Sequence, residues 1–257
     1  MLPSSTYMPT AKTWTDKNYS IVITEDGSPS LHWKLNEAEF GELMHHRGGA
    51  LAETELIYGS VVKQAITEGA RHFCSVGLGL GYNELMVARE WLSSSATEVP
   101  ESFCEITSFE ADPFLTDCFL NFLKNPEATT DTNEVYRDIL ARMAPTSGVK
   151  ICSFLLKILE AGLWHLPGAL SADFGRSSHD SKFDVVLYDA FSSKTSPQLW
   201  AEDFLNEFIG RHMSQKSLFS TYACTGPLKR SLKAQGFEVI LREGFHGKRN
   251  STLGRRV

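Results

Sequence analysis

The stretch FDVVLYDAFSSKTSPQLW (residues 183–200) reads as a buried strand that ends on an acid and then breaks into a Ser/Pro loop. Val185, Val186 and Leu187 follow one another without polar alternation, as in a central parallel strand covered on both faces. Asp189 then stands at the carboxyl end of that strand, the edge at which open α/β sheets bind ligands. A strand-end carboxylate followed by an aromatic, Phe191, suits a site that holds an amine or hydroxyl nucleophile.

Working outward, further strands are expected at residues 72–80, 103–109, 163–166, 217–224 and 237–245. Apolar helical periodicity fills the intervals, including residues 114–162 and 227–235. Residues 19–35 form two strand-like runs around Asp26-Gly27, a β-hairpin signal. Residues 37–68 have helical spacing interrupted by Gly48-Gly49. Strand–helix alternation of this kind predicts an α/β fold: one doubly wound, mostly parallel, Rossmann-like sheet with a small N-terminal hairpin and helix addition. We place the boundary between residues 1–68, the pre-domain segment, and residues 69–257, the sheet domain.

Bulk properties set few limits. Of 257 residues, 42% are hydrophobic and 22% charged, which supplies a core for a globular chain. No run has the ~18 apolar residues of a membrane helix, and the N-terminus lacks the basic start and apolar stretch of a secretory signal. Cytoplasmic location and no membrane partner are therefore expected. The five cysteines and eight histidines have no metal-ligand spacing, so reduced thiols and no metal are expected. Ser192, Ser193 and Ser196 lack a nucleophile-elbow pattern, which argues against a hydrolase.

The cofactor class comes from Gly77-Leu78-Gly79-Leu80-Gly81, a G-x-G-x-G loop between the 72–80 strand and a helix. Glycines there let backbone approach a ligand and turn into the helix N-terminus. The dinucleotide fingerprint requires glycine at position 82, which is tyrosine. G-x-G-x-G is the pattern associated with S-adenosylmethionine (SAM), which has no pyrophosphate to cradle. Glu110, ending the second strand, stands where such sheets accept the two ribose hydroxyls.

Four blocks then resemble the MnmC-like tRNA methyltransferases, in order and over residues 36–254: HHRGGALAETELIYG, VGLGLGYNELM, YDAFSSKTSPQLW and STYACTGPLKRSLKAQGFEVILREGFHGKRNSTLG. The resemblance implies SAM-dependent methylation of the aminomethyl group of 5-aminomethyl(-2-thio)uridine at the tRNA wobble position. It implies catalytic roles for Asp189 and Phe191, and cofactor contacts from Gly77, Gly79, Gly81, Asn83 and Glu110. Three positions depart from the family pattern. Ser75 replaces an acid two residues before the first loop glycine, Ser193 replaces a proline, and the acid expected to meet the adenine falls to Asp173 after a shift, since Gly168-Ala169 has lost it. Glu53, Glu55 and Arg47 lie in the first block, where a solvated helix face would explain them equally well.

Charge adds a partner. Residues 226–257 hold eight basic and two acidic side chains within a chain of net charge −6. A basic end on an acidic body suits contact with a polyanion, although a solvated tail has the same charge. The resemblance assigns Lys229, Arg230, Lys248 and Arg249 to the anticodon stem-loop, and requires a separate enzyme to supply the aminomethyl uridine, since the oxidase half of bifunctional relatives is absent from this sequence. Two alternatives share the fold: an aminopropyltransferase-like enzyme acting on a small amine, and a catalytically weakened RNA-binding module.

Overall fold

The computed structural model describes residues 19–34, 41–94, 104–176, 182–247 and 250–257. The hairpin expected around Asp26-Gly27 is β1 (Tyr19–Ile23) and β2 (Pro29–Lys34), to which β3 (Gly41–Leu43) adds an antiparallel third strand. Asp26 closes the turn, accepting the Ser28 N–H at 2.9 Å. Its second oxygen accepts the Ala52 N–H at 3.0 Å, which fastens the turn to α1 (Ala50–Thr54). A π-helical turn, Glu55–Gly59, and α2 (Ser60–Thr67) continue from α1.

The main sheet has seven strands: β4 (His72–Val76), β5 (Glu105–Phe109), β6 (Trp164–Gly168), β7 (Phe183–Tyr188), β8 (Met213–Thr221), β9 (Glu238–Glu243) and β10 (Asn250–Arg256). Their spatial order is β6-β5-β4-β7-β8-β10-β9. Strands β4 to β8 are parallel, as strand–helix alternation predicts, and β7 carries the unalternated apolar run of a strand covered on both faces. The chain steps outward from β4 through β5 to β6, then returns to β7 and steps outward to β8 on the other side, so β4 and β7 border a topological switch point, the place where ligands bind open α/β sheets.

Helices α3 (Tyr82–Ser94), α4 (Pro113–Lys124), α5 (Asp131–Met143) and α6 (Gly148–Glu160) cover one face, sharing a core with Tyr58, Val61, Val62 and Ala65 of the N-terminal segment. A second core lies beneath α8 (Glu202–His212) and α9 (Gly226–Ala234), with Phe174 of α7 (Ala172–Arg176) packed against it. Local chemistry starts these helices where the sequence indicates. Asp112 accepts the Phe114 N–H ahead of Pro113, and Thr225 accepts the Leu228 N–H ahead of Pro227. All five cysteines are free thiols, and no single helix among the described residues is long and apolar enough to cross a membrane.

One strand was not expected. Residues 250–256, read as part of a basic end, form β10, which runs antiparallel between β8 and β9. Ser251, Thr252 and Leu253 are buried there, and at Gly254 no side chain fits, since a Cβ would come within 2.8 Å of Leu232. Arg256 ends the strand by donating to the carbonyls of Met213, Ser214, Gln215 and Gln235, with its guanidinium over the Phe237 ring. Arg255 pairs with Glu68 at 3.2 Å, and Arg242 donates to the Ile57 carbonyl. Three of the eight basic side chains of this end, Arg242, Arg255 and Arg256, are thus structural. Replacing Arg256 with alanine is expected to cost about 1–3 kcal/mol in urea denaturation, because several carbonyls lose their donor at once, and lysine should recover only part of it.

Candidate active site

A cavity of about 630 Å³ opens at the switch point, lined by the glycine loop, the ends of β5 and β7, and residues 42–47 of the N-terminal segment. Backbone bonds stitch the strand ends beneath it. The Gly77 and Leu78 N–H groups donate to the Phe109 carbonyl at 3.0 and 3.1 Å, and the Asp189 N–H donates to the Val76 carbonyl at 2.9 Å. Gly77 has φ +93°, and a Cβ there would stand 2.7 Å from the Asp189 carbonyl oxygen. Gly81 has φ +72°, and a Cβ there would meet the Phe119 ring at 2.5 Å. Both positions therefore exclude side chains by conformation and by space.

The cavity fits SAM on observations independent of motif. Glu110 lines it and accepts the Gly79 N–H at 2.9 Å and the Asp112 N–H at 2.9 Å, which fixes its carboxylate at the end of β5. Burial holds the Glu110 carboxyl above its ordinary range in spite of those bonds. Asn83, 2% exposed, also lines the cavity, and its Oδ1 has no partner among the described residues. A buried acceptor without a donor is costly unless a ligand satisfies it. Gly77, Gly79, Asn83, Glu110, Asp189 and Phe191 all line this one cavity. Asp173 does not: it is exposed on α7, while Ala169 and Leu170 line the wall it was expected to reach. The shift that assigned it carries the acid past the end of β6 into the next helix.

Asp189 is held from residues the sequence does not mark. The Tyr58 hydroxyl donates to its Oδ1 at 2.8 Å. Burial, and then the Asp189 charge, raise the Tyr58 pKa well above the usual value, so the phenol stays a donor. The π-helical turn Glu55–Gly59 sets Tyr58 in place, a geometry that recurs at functional sites. The loop after Asp189 is clamped by Glu42, whose carboxylate accepts the Ser192 N–H at 2.9 Å, the Ser192 hydroxyl at 3.1 Å and the Thr195 hydroxyl. The Phe191 ring stacks on Trp33 at 5.5 Å, and its carbonyl accepts from Trp200 Nε1 at 2.6 Å. Tyr222 donates to the Ala190 carbonyl at 2.9 Å. Glu53, 5% exposed, lines the cavity and accepts the His46 N–H at 2.6 Å, so it is not a solvated helix residue.

The other assigned side chains are elsewhere. Arg230 is exposed on α9 and paired with Glu202 at 2.6 Å, and Lys229 is one residue before it on the same helix. Lys248 and Arg249 lie outside the described residues. Among the described residues no group of His, Cys, Asp or Glu could hold a metal ion.

Residues 172–256 match the family described as S-adenosyl-L-methionine-dependent methyltransferase. The bifunctional tRNA 5-methylaminomethyl-2-thiouridine biosynthesis protein MnmC of Aromatoleum aromaticum is 27% identical over 243 residues, covering 91% of this chain and 35% of that protein. The chain is similar in sequence to MnmC over most of its length and, over its C-terminal third, to SAM-dependent methyltransferases. MnmC of Hahella chejuensis is 25% identical over 235 residues, covering 87% of this chain and 36% of its own length. The chain thus spans about a third of the bifunctional relatives it matches. The crystal structure of MNMC2 from Aquifex aeolicus shares the fold, with a TM-score of 0.64 at 24% identity, covering 92% of this chain and 70% of that one.

On α3, which follows the glycine loop, lies a carboxyl that sequence reasoning missed. Glu84 of α3 is fully buried and accepts from the Ser108 hydroxyl at 2.7 Å, which in turn accepts from Trp164 Nε1 at 3.0 Å. Its second oxygen and the Ser75 hydroxyl are both buried without a well-aligned bond. An acid is therefore present in the region where Ser75 lacks one, supplied by the helix. Burial pushes the Glu84 carboxyl up to about 7. Because the folded value exceeds the unfolded one, this group's contribution to stability is complete below about pH 4 and declines as pH rises through 7. Comparing urea denaturation at pH 5 and pH 8, Glu84→Gln is expected to remove a pH-dependent loss of about 2–3 kcal/mol seen in the parent protein.

Proposed function

We propose that this chain transfers the methyl group of SAM to the aminomethyl nitrogen of 5-aminomethyl(-2-thio)uridine at the wobble position of tRNA. A separate enzyme supplies the aminomethyl group, and the reaction takes place in the cytoplasm. The observation that carries this reading is the Asp189–Phe191 loop: a carboxylate held by Tyr58 and an aromatic held by Trp33 face the same cavity as the glycine loop. That arrangement occurs in a chain similar to MnmC proteins over most of its length.

The chemistry follows from these positions. SAM supplies an electrophilic methyl on a good leaving group, so alignment contributes more than strong acid–base catalysis. Gly77 and Gly79 line the methionine end, and Glu110 receives the ribose hydroxyls. The amine approaches beside Asp189, whose carboxylate accepts an N–H, turns the lone pair toward the methyl and assists loss of the surplus proton. The N–C bond forms as the C–S bond breaks, and the proton leaves through the carboxylate to solvent. Tyr58 occupies Asp189 Oδ1, which fixes the rotamer of the carboxylate. Phe191 forms the apolar wall that keeps water from the transferring group.

An anticodon loop offers a wobble base that can be splayed into such a pocket at low cost. Lys229, Arg230, Lys248 and Arg249 are placed by this reading on stem-loop phosphates. The Arg230–Glu202 pair is exposed, so exchanging it for a phosphate costs little.

The test is methyl transfer from labelled SAM to tRNA carrying 5-aminomethyluridine, with free polyamines in parallel. Label is expected in the tRNA. Asp189→Ala should reduce kcat about 10²–10⁴-fold, and Tyr58→Phe about tenfold with folding intact. Label entering only polyamines would transfer the assignment to small amines. SAM binding without transfer to either would leave a binding module.

A further inference from the structure

Arg47 is the one arginine or lysine among the residues that line the cavity, which is otherwise charged by Glu42, Glu53, Glu110 and Asp189. It is exposed, and among the described residues its guanidinium makes no hydrogen bond, ion pair or ring contact. Every other arginine with a described side chain is engaged with a carboxylate, with backbone carbonyls or, for Arg71, with the Trp91 ring. An arginine among four carboxylates that pairs with none of them is available to an anionic ligand, for which its planar fork is suited.

Its position is fixed by backbone. The Arg47 carbonyl accepts the Glu25 N–H at 2.9 Å, and the Met44 N–H donates to the Leu31 carbonyl at 2.9 Å, so the segment between them is fastened to the N-terminal hairpin. That segment crosses the glycine loop: Met44 Sδ would stand 3.3 Å from a Cβ on Gly79. Arg47 therefore belongs to the end of the cavity where the glycine loop takes the methionine portion of the donor, on the reading of the cavity given above.

We propose that Arg47 is the oxyanion anchor of the cavity and takes the carboxylate of the methionine end of SAM. A carboxylate anchor has a consequence for reaction class. Aminopropyl transfer uses a donor that has lost this carboxylate, whereas methyl transfer uses one that keeps it. Arg47 thereby selects the donor of the methyl reaction.

The experiment is calorimetric titration of parent and Arg47→Ala protein with S-adenosylhomocysteine, which keeps the amino-acid end, and with 5′-methylthioadenosine, which lacks it. Arg47→Ala is expected to weaken S-adenosylhomocysteine about 10- to 100-fold and leave methylthioadenosine unchanged, with Arg47→Lys intermediate. An exposed side chain can be removed without loss of the fold, and unchanged methylthioadenosine affinity verifies that. A second arm compares KM for the tRNA and for the free modified nucleoside. If S-adenosylhomocysteine affinity is unchanged while KM rises for tRNA alone, the anion held is a substrate phosphate and the carboxylate assignment is overturned. If neither changes, the anchor itself is overturned. Because the first arm needs no RNA, failure of tRNA methylation would refute that substrate and leave the binding result on Arg47 intact.

Discussion

The architecture depends on how closely the ends of β4 and β7 approach each other. The Val76 carbonyl receives the Asp189 N–H, and Gly77 passes so near the Asp189 carbonyl that no side chain fits between them. This contact exists because chain order reverses between these two strands, leaving no crossover connection to fill the gap. It places the glycine turn and the acid side by side with backbone precision, on rigid elements. A carboxylate carried on a loop would need other contacts to achieve the same registry. Moving either strand end would disturb the floor of the cavity and its acid together.

The sheet by itself leaves the cavity open, and the N-terminal segment supplies the missing wall. Three of its residues fix the β7 loop through different forces: Glu42 by charge-assisted hydrogen bonds, Trp33 by ring stacking and Tyr58 by a buried hydroxyl. The hairpin that carries Trp33 is tied to α1 through Asp26, and the helical segment that carries Tyr58 shares its core with the main sheet. Local melting of this segment would therefore release the loop beside Asp189 while the parallel strands stayed paired. The division at residue 68 that the strand–helix pattern indicates separates two stretches of sequence joined by one packed core.

Legibility in the sequence followed the range of the determining interactions. The β7 run, the glycine loop and the hairpin turn are decided by neighbours in the chain, and each is found where periodicity and turn chemistry put it. Tyr58 meets Asp189 across 131 positions and Glu42 meets Ser192 across 150, so no local pattern could indicate either pairing. Strand β10 was missed for another reason. Three of its four buried positions are Ser, Thr and Gly, with Leu253 the one large apolar side chain, and its arginines spend their charge on carbonyls and Glu68. A count of charges along the chain does not distinguish an arginine that ends a strand from one that meets a phosphate. Asp173 shows the converse limit, since a shift of a few residues past a strand end moves a side chain from the crevice onto the following helix.

Methyl transfer to an amine moves one positive charge from sulfur to nitrogen without creating or removing any. The carboxylates around this cavity therefore favour positive charge before and after the step, and those equidistant from both atoms bind ground and transition states alike. On the proposed function Asp189 differs, because it would stand at the acceptor, where charge develops and a proton must leave. Such a site requires an acid whose position is fixed more than one whose affinity for protons is extreme. The structure matches that requirement in where it spends buried hydrogen bonds: on Asp189 through Tyr58, on its loop through Glu42, and on the backbone that holds it against Gly77.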